Sequence, residues 1–407
     1  MGKRHSFITG IDIGTSTITA VCGEVDEGGV TCIGCSTQPS YGVKKGAIIN
    51  MDSTVDSIRR ALEELETMTG LDIAAAVTGI SGTHIKGMSS TGVVPLSSRE
   101  VKKADVASVL EAAKAVVIPT DREVVQIVPQ EFIVDDQDGI KDPLGMSGVR
   151  LESRVYIVTG AVAAAQNVIR CMNRSGLKVQ DIVLQHLASA EAVLSDDEKE
   201  LGCALVDIGG GTTDIAVYSQ GCIRACAVLP IGGNHITSDI AIGIRTPLAE
   251  AEELKRDFGT ACPDQVGPDD MLEIGCIGDT GRRTVSKNTL AQIIHARVEE
   301  TIGLVHKELA AAGFSEGLPA GVVLTGGTAL LNGMVPVAQD ILGMPVRIGA
   351  PVGISGLNDV RSPQYAGAVG LVLFAARGSL HENTAQKKPF GFTGIGERMR
   401  HWFAEAF

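Results

Sequence analysis

Aromatic residues are scarce in this chain: they make up 3% of 407 residues, with a single Trp. Readers of single-stranded nucleic acid stack bases on such side chains and need more of them. Positive charge is not in excess either. The formal net charge is −13, which argues against wrapping DNA or RNA, so no nucleic-acid partner is expected. No apolar run reaches about 18 residues, so the sequence offers no transmembrane helix. The first five residues are polar and too short for a signal peptide. The nine cysteines are odd in number and scattered, several in apolar runs, which reads as reduced, buried thiols of a cytosolic protein. Cys32 and Cys35 have CxxC spacing, but no second pair or pair of histidines completes a zinc site. What remains is a hydrophobic content of 44% and 49 glycines. Those values, over this length, suit two or three domains with substantial cores.

Two short turns carry the most information. Asp12-Ile13-Gly14-Thr15-Ser16-Thr17 and Asp207-Ile208-Gly209-Gly210-Gly211-Thr212-Thr213-Asp214 each lie between two strand-like runs. Each therefore reads as a β-hairpin whose turn holds an Asp, glycine and hydroxyls. That composition suits a polyphosphate. Glycine lets backbone N–H groups approach phosphate oxygens. Asp12 and Asp207 can hold Mg²⁺ through its water shell, because Mg²⁺ dehydrates reluctantly. A lone turn of this kind also closes ordinary hairpins. Two copies opening two halves of the chain imply a duplicated domain with phosphates held between the halves.

Residues 6–35 read as a meander, 51–68 as a helix with Val55, Ile58, Leu62 and Leu65 on one face, and 73–80 as a strand. Residues 85–161 have a rhythm of their own, β-α-β-β, and read as a small interaction subdomain. Within it, Ser97 and Glu100 have capping-box spacing before a helix ending near 116. Pro129 marks an edge or a bulge. Helices are expected over 161–173, 188–194 and 289–312, and strands over 179–184, 225–229 and 320–324. Small residues at 366–370 mark a closely packed helix. Thr325-Gly326-Gly327 is a third glycine turn, placed to abut a helix N-terminus. Ile231-Gly232-Gly233-Asn234 follows the strand at 225–229 in the same manner. Glu252 and Lys255 share a helix face, where they form either a surface ion pair or a grip on a ribose and adenine edge.

The ordered set, two Asp-Ile-Gly turns, then the Glu252/Lys255 face, then Thr-Gly-Gly, resembles the ATPase superfamily of actin, the heat-shock chaperones and the sugar kinases. The resemblance implies ATP and Mg²⁺ in a cleft between two related domains. It puts Asp12, Gly14, Thr15 and Ser16 on the phosphates from one side, and Asp207, Gly209, Gly210, Gly211 and Thr212 from the other. Gly233, Asn234, Glu252, Lys255, Gly326 and Gly327 would line the nucleoside pocket.

Further stretches narrow this to the FtsA family of bacterial cell-division proteins. They include Ser81-Gly82-Thr83-His84-Ile85, Val128-Pro129-Gln130-Glu131-Phe132, Gly145-Met146-Ser147-Gly148-Val149-Arg150 and Val346-Arg347-Ile348-Gly349-Ala350-Pro351. The expected fold is α/β: actin-like (ribonuclease H-like) duplicated domains with a nucleotide cleft, a β-α-β-β inserted subdomain and a C-terminal amphipathic helix. The first actin-like domain would combine 1–84, 162–195 and 361–380, with 85–161 inserted. The second core would combine 196–228 and 304–360, with 229–303 as an outer subdomain. A linker at 381–390 would lead to a membrane-targeting helix at 391–407.

Residues 390–407 hold five aromatics. At helical pitch Ile395, Met399, Trp402, Phe403, Ala406 and Phe407 fall within an arc of roughly 140°. Arg398 and Arg400 flank it, where their stems can snorkel toward lipid headgroups. A helix packing on the core would show the same stripe; the family resemblance selects the membrane. It further implies FtsZ, through its C-terminal peptide, as partner on residues 229–303, along with self-association into filaments, membrane lipids, and other division proteins on the insertion. Lys287 and Arg297 could meet an acidic peptide, or be ordinary solvated charge. No catalytic residue is assigned. His186 or Leu187 stands where active hydrolases of the superfamily carry Glu, and Glu191 lies further along. The expected location is the cytoplasmic face of the inner membrane at the septum. A scaffold resembling PilM, of pilus assembly, is the alternative.

Overall fold

The computed structural model describes residues 6–26, 28–275 and 281–384. The first hairpin is β1 (Ser6–Ile13) and β2 (Thr17–Asp26), joined antiparallel to β3 (Gly29–Pro39). A two-rung hairpin, β4 (Val43–Lys44) and β5 (Ala47–Ile48), leads to α1 (Met51–Thr69). Asn50 caps α1 by accepting the Ser53 N–H, and Gly70 ends it in the left-handed region. Its buried Val55, Ile58, Leu62 and Leu65 are the stripe expected from their spacing. β6 (Ala75–Ile80) then lies parallel to β1.

The insertion follows: β7 (Lys86–Pro95), α2 (Lys103–Lys114), β8 (Arg122–Val134), β9 (Gln137–Ile140) and β10 (Arg150–Ala161), with sheet order β7-β10-β8-β9. It has the expected β-α-β-β frame plus the short β9. The helix does not start at Ser97. Arg99 takes positive φ and Glu100 bridges to Ser147, so the chain is still turning there; α2 begins at Lys103, and the Asp105 carboxylate accepts the Lys102 N–H. Pro129 sits beside a bulge. Its lack of an N–H breaks the ladder, and Gln130 is the extra residue opposite β10.

The first repeat resumes with α3 (Val162–Arg174), β11 (Lys178–Leu184) and α4 (Gln185–Val193). The acidic stretch after it is a short capped helix, α5 (Asp196–Leu201), with Ser195 and Glu198 forming the capping box. The second repeat opens on β12 (Cys203–Ile208), β13 (Thr213–Ser219) and β14 (Cys222–Leu229). An outer subdomain holds α6 (Gly233–Gly243), α7 (Leu248–Phe258) and the ladder β15 (Met271–Gly275) and β16 (Arg282–Ser286). Then come α8 (Lys287–Ala311), β17 (Val322–Thr325), α9 (Met334–Leu342) and β18 (Val346–Ile348). β19 (Ile354–Gly356) returns to the first sheet beside β3, and α10 (Ala366–Thr384) closes the described chain.

The duplication is legible in the sheets. One runs β11-β6-β1-β2-β3-β19, the other β18-β17-β12-β13-β14. In both, a three-stranded antiparallel meander is extended by two parallel strands beside its first strand. Each repeat ends in a helix, α4 or α10, and each of these lies against strands of the other repeat. The two helices meet backbone to backbone. A Cβ on Gly370 would stand 1.8 Å from the Ala188 carbonyl oxygen.

The insertion also touches the second repeat. Bulged Gln130 donates from Nε2 to the Ile223 carbonyl at 2.8 Å, and the buried Tyr156 hydroxyl accepts the Cys226 N–H at 2.9 Å. Both partner groups lie on β14, the edge strand of the second sheet. The insertion thus covers an edge that would otherwise invite another strand. α10 runs to Thr384, so the segment expected as linker from 381 begins in helix. The membrane-facing residues expected from sequence, Ile395, Arg398, Met399, Arg400, Trp402, Phe403 and Phe407, lie outside the described residues.

Candidate functional site

The two hairpin turns close the same way. Gly14 N–H donates to the Thr17 carbonyl at 3.0 Å, and Gly209 N–H to the Thr212 carbonyl at 2.9 Å. Each turn sits where the first strand of its meander ends, at the centre of its sheet. The turns then face each other. A Cβ on Gly210 would lie 1.9 Å from Ser16 Oγ, and one on Gly211 would lie 2.7 Å from Thr15. Only glycine permits that approach. Ser16 Oγ also donates across the gap to Asn234 Oδ1 at 3.0 Å.

Around these turns lies a cleft of about 840 Å³. Every phosphate-side residue expected from sequence lines it: Asp12, Gly14, Thr15, Ser16, Asp207, Gly209, Gly210, Gly211 and Thr212. So do Gly233, Asn234, Glu252, Lys255, Gly326 and Gly327. The start of α6 is bound to the second turn, Gly233 N–H to the Gly209 carbonyl at 2.9 Å and Asn234 N–H to the Gly210 carbonyl at 2.8 Å. Gly326 has φ +84, and a Cβ there would come within 2.4 Å of Asp207 Oδ1. The third glycine turn leads into a 3₁₀ turn, Gly327–Leu330, rather than directly into an α-helix. On α7, Lys255 Nζ reaches Glu252 Oε2 at 2.6 Å, Thr237 Oγ1 at 2.9 Å and the Gly233 carbonyl at 3.3 Å. This pair is a cleft wall, tied to α6, and not a surface ion pair.

Three carboxylates meet here. Burial, then the nearby charges of Asp207 and Asp214, push the Asp12 carboxyl up to about 7. Burial likewise raises Asp214 to about 7, against hydrogen bonds from Ser81 and Thr212, and raises Asp207. So much buried like charge calls for a cation. Among the described residues no three acidic, His or Cys side chains converge to ligate a metal directly. That donor set fits a Mg²⁺ held through its waters and by phosphate oxygens, and not an all-protein cage.

Sequence reasoning missed four contributors. Asp214 ends the second motif and lines the cleft. Gln185, first residue of α4, lines it too and hydrogen-bonds Asp12. The cleft-facing position is therefore Gln185, and not His186 or Leu187. His186 is buried with neither ring nitrogen partnered, and burial lowers its pKa to about 4, so it is neutral. Glu191 pairs with Arg377 at 2.6 Å and Lys199 at 3.7 Å and does not line the cleft. Ser81 and Ser189 are the other two; Ser81 opens one of the family-like stretches, but no pattern marks either serine as a partner of a cleft carboxylate. Lys287 lines the cleft. Arg297 grips Asp239 with Nε–Oδ2 2.5 Å and Nη2–Oδ1 3.0 Å, and also pairs with Glu300.

Two repeats of this topology, with their glycine turns opposed across a cleft, define an actin-like ATPase fold. Solved structures agree on the fold. A chain of the PilM-PilN type IV pilus biogenesis complex superposes with TM-score 0.63 at 18% identity, over 91% of this chain and 98% of that one. MreB5 of Spiroplasma citri bound to ADP superposes with TM-score 0.51 at 15% identity, over 93% and 98%. Residues 204–370 match the family model "Cell division protein FtsA", and residues 82–159 match "SHS2 domain inserted in FTSA". The cell division protein FtsA of Pseudomonas aeruginosa is 44% identical over 98% of this chain and 98% of its own length. The chain belongs to the FtsA family.

Proposed function

We propose that this chain is an ATP-binding cell-division protein that tethers FtsZ filaments to the cytoplasmic membrane, polymerises, and helps recruit later division proteins. The full-length relationship to the Pseudomonas aeruginosa FtsA carries the reading. The PilM neighbour, at 18% identity, speaks for the fold alone.

The cleft chemistry supports a Mg²⁺-bound nucleoside triphosphate. The backbone N–H groups of the two turns and the hydroxyls of Thr15, Ser16 and Thr212 would hold the phosphates. Asp12, Asp207 and Asp214 would hold the waters of the ion, which neutralises their shared charge. Glu252 and Lys255 would hold the nucleoside. Hydrolysis is expected to be slow. Gln185 can orient a water but cannot take its proton, and a missing general base removes roughly 10²–10⁴-fold in rate.

Membrane attachment would rest on the amphipathic pattern of residues 391–407. No helix among the described residues is long and apolar enough to cross a bilayer, which suits a peripheral attachment. One interfacial helix binds lipid only weakly and reversibly. Filament formation, favoured by ATP in the closed cleft, would line up many such tails and raise the avidity. The FtsZ C-terminal peptide would dock on residues 229–303. Arg297 is already engaged by Asp239, so Lys287 and Arg297 are tested together: charge reversal of both should weaken an acidic FtsZ peptide by tenfold or more.

The test is sedimentation of FtsZ with liposomes, using the full chain and a version ending at Thr384, which keeps α10 whole. The full chain should carry FtsZ to lipid with ATP and Mg²⁺, and the shortened chain should not. Equal recovery with both, or with neither, would refute the tether.

A further inference from the structure

Two hydroxyls reach the cleft carboxylates from the opposite repeat. Ser81 follows β6 of the first sheet, and its Oγ donates to Asp214 Oδ1 at 2.5 Å. Ser189 lies on α4, fully buried, and its Oγ donates to Asp207 Oδ2 at 2.6 Å. Both acceptors belong to the second motif, at the ends of β12 and β13. Each carboxylate of the second repeat is thus held by a side chain of the first.

The geometry has a purpose beyond filling lone pairs. A carboxylate that serves a binding site must be held within about 0.5 Å of its productive geometry. Asp207 Oδ2 is fixed by Ser189, which leaves Oδ1 on the Gly326 side, where any Cβ would come within 2.4 Å. Asp214 Oδ1 is fixed by Ser81 in the same manner. Ser81 is also the last residue before the segment that matches the inserted domain model.

We propose that Ser81 and Ser189 are positioning residues of the magnesium-nucleotide site, so that its second-repeat carboxylates are aimed only when the two repeats are apposed. This rests on the nucleotide reading of the cleft. It concerns the ion, so it separates from general effects on nucleotide binding.

The experiment measures ATP affinity of the full chain by calorimetry, once with Mg²⁺ and once with EDTA. S81A and S189A should each weaken binding in Mg²⁺ by roughly tenfold, the order that one hydrogen bond to a charged group supplies. In EDTA the same variants should stay within about twofold of wild type, since the phosphate turns are intact. S81T, which keeps the hydroxyl, should restore the Mg²⁺ value. Variants that lose affinity equally in both buffers would mark a merely structural role and overturn the proposal. So would alanine variants that bind as wild type in Mg²⁺. A wild-type chain that binds no ATP in either buffer would instead overturn the nucleotide reading itself.

Discussion

Replacing Asp214 by Asn should make the empty protein more stable at neutral pH, although it damages the site. Asp214 is buried, and its pKa rises from 3.8 to about 7 in the folded chain. A raised carboxyl pKa means the native state holds its proton where the unfolded chain has lost it. Stability is therefore full at low pH and is lost as pH rises through the interval between the two values. The total is at most about 4 kcal/mol, of which about 2 kcal/mol falls between pH 5 and pH 7. Asn keeps the shape and an oxygen for the Ser81 hydroxyl, but it cannot ionise. It also removes one of the charges that raise Asp12. Urea unfolding followed by circular dichroism at pH 5, 6, 7 and 8, without nucleotide, reads the difference. The advantage of the variant should grow by about 2 kcal/mol from pH 5 to pH 7 and level off by pH 8. Added Mg²⁺ and ATP should reverse the order, because the wild type holds the ion with three carboxylates and the variant with two. A variant less stable than wild type at pH 8, or an advantage that does not change with pH, would refute the argument that these carboxylates are held against their own charge.

Three further outcomes follow from single contacts. Gly370→Ala drives a methyl group into the Ala188 carbonyl where α4 and α10 cross, and should cost about 3 kcal/mol in thermal unfolding; a neutral result would mean the helices can part cheaply. Tyr156→Phe removes the hydroxyl that accepts the Cys226 N–H, and should cost about 1 kcal/mol and speed hydrogen exchange of that amide. Unchanged exchange would show that the insertion does not hold β14. Arg347 donates to both oxygens of Glu198 at 2.6 and 2.7 Å and to the Val193 carbonyl at 2.9 Å. Arg347→Ala should cost about 1–2 kcal/mol, since the pair is only half-exposed, and a loss under about 0.5 kcal/mol would rank it with ordinary surface pairs.

Much of the fold could be read from local pattern. α1 shows its buried stripe in Val55, Ile58, Leu62 and Leu65, and the paired turns announce themselves because glycine and Asp recur at matched places. The cleft residues were accessible for the same reason: chemistry and backbone need coincide at Gly14, Gly211 and Gly326. Elsewhere local and tertiary demands part. Ser97 and Glu100 have the spacing of a helix start, yet a bridge from Glu100 to Ser147 keeps the chain turning until Lys103. Gln185 became visible as a cleft residue only when the start of α4 was fixed, one position before the His the sequence had pointed to. Ser81 and Ser189 act through partners 133 and 18 positions away, and single serines carry no periodicity. The Lys287 and Arg297 pair illustrates the reverse case. Both read as free surface charge, but one lines the cleft and the other is clasped by Asp239.

The central claim is that two repeats hold one nucleotide between them, and stoichiometry tests it most directly. ATP with Mg²⁺ titrated into the full chain should give one site per chain. Gly211→Val, which wedges the opposed turns apart at Thr15, should abolish it. Two independent sites, or a Gly211→Val variant that binds as wild type, would contradict a shared cleft.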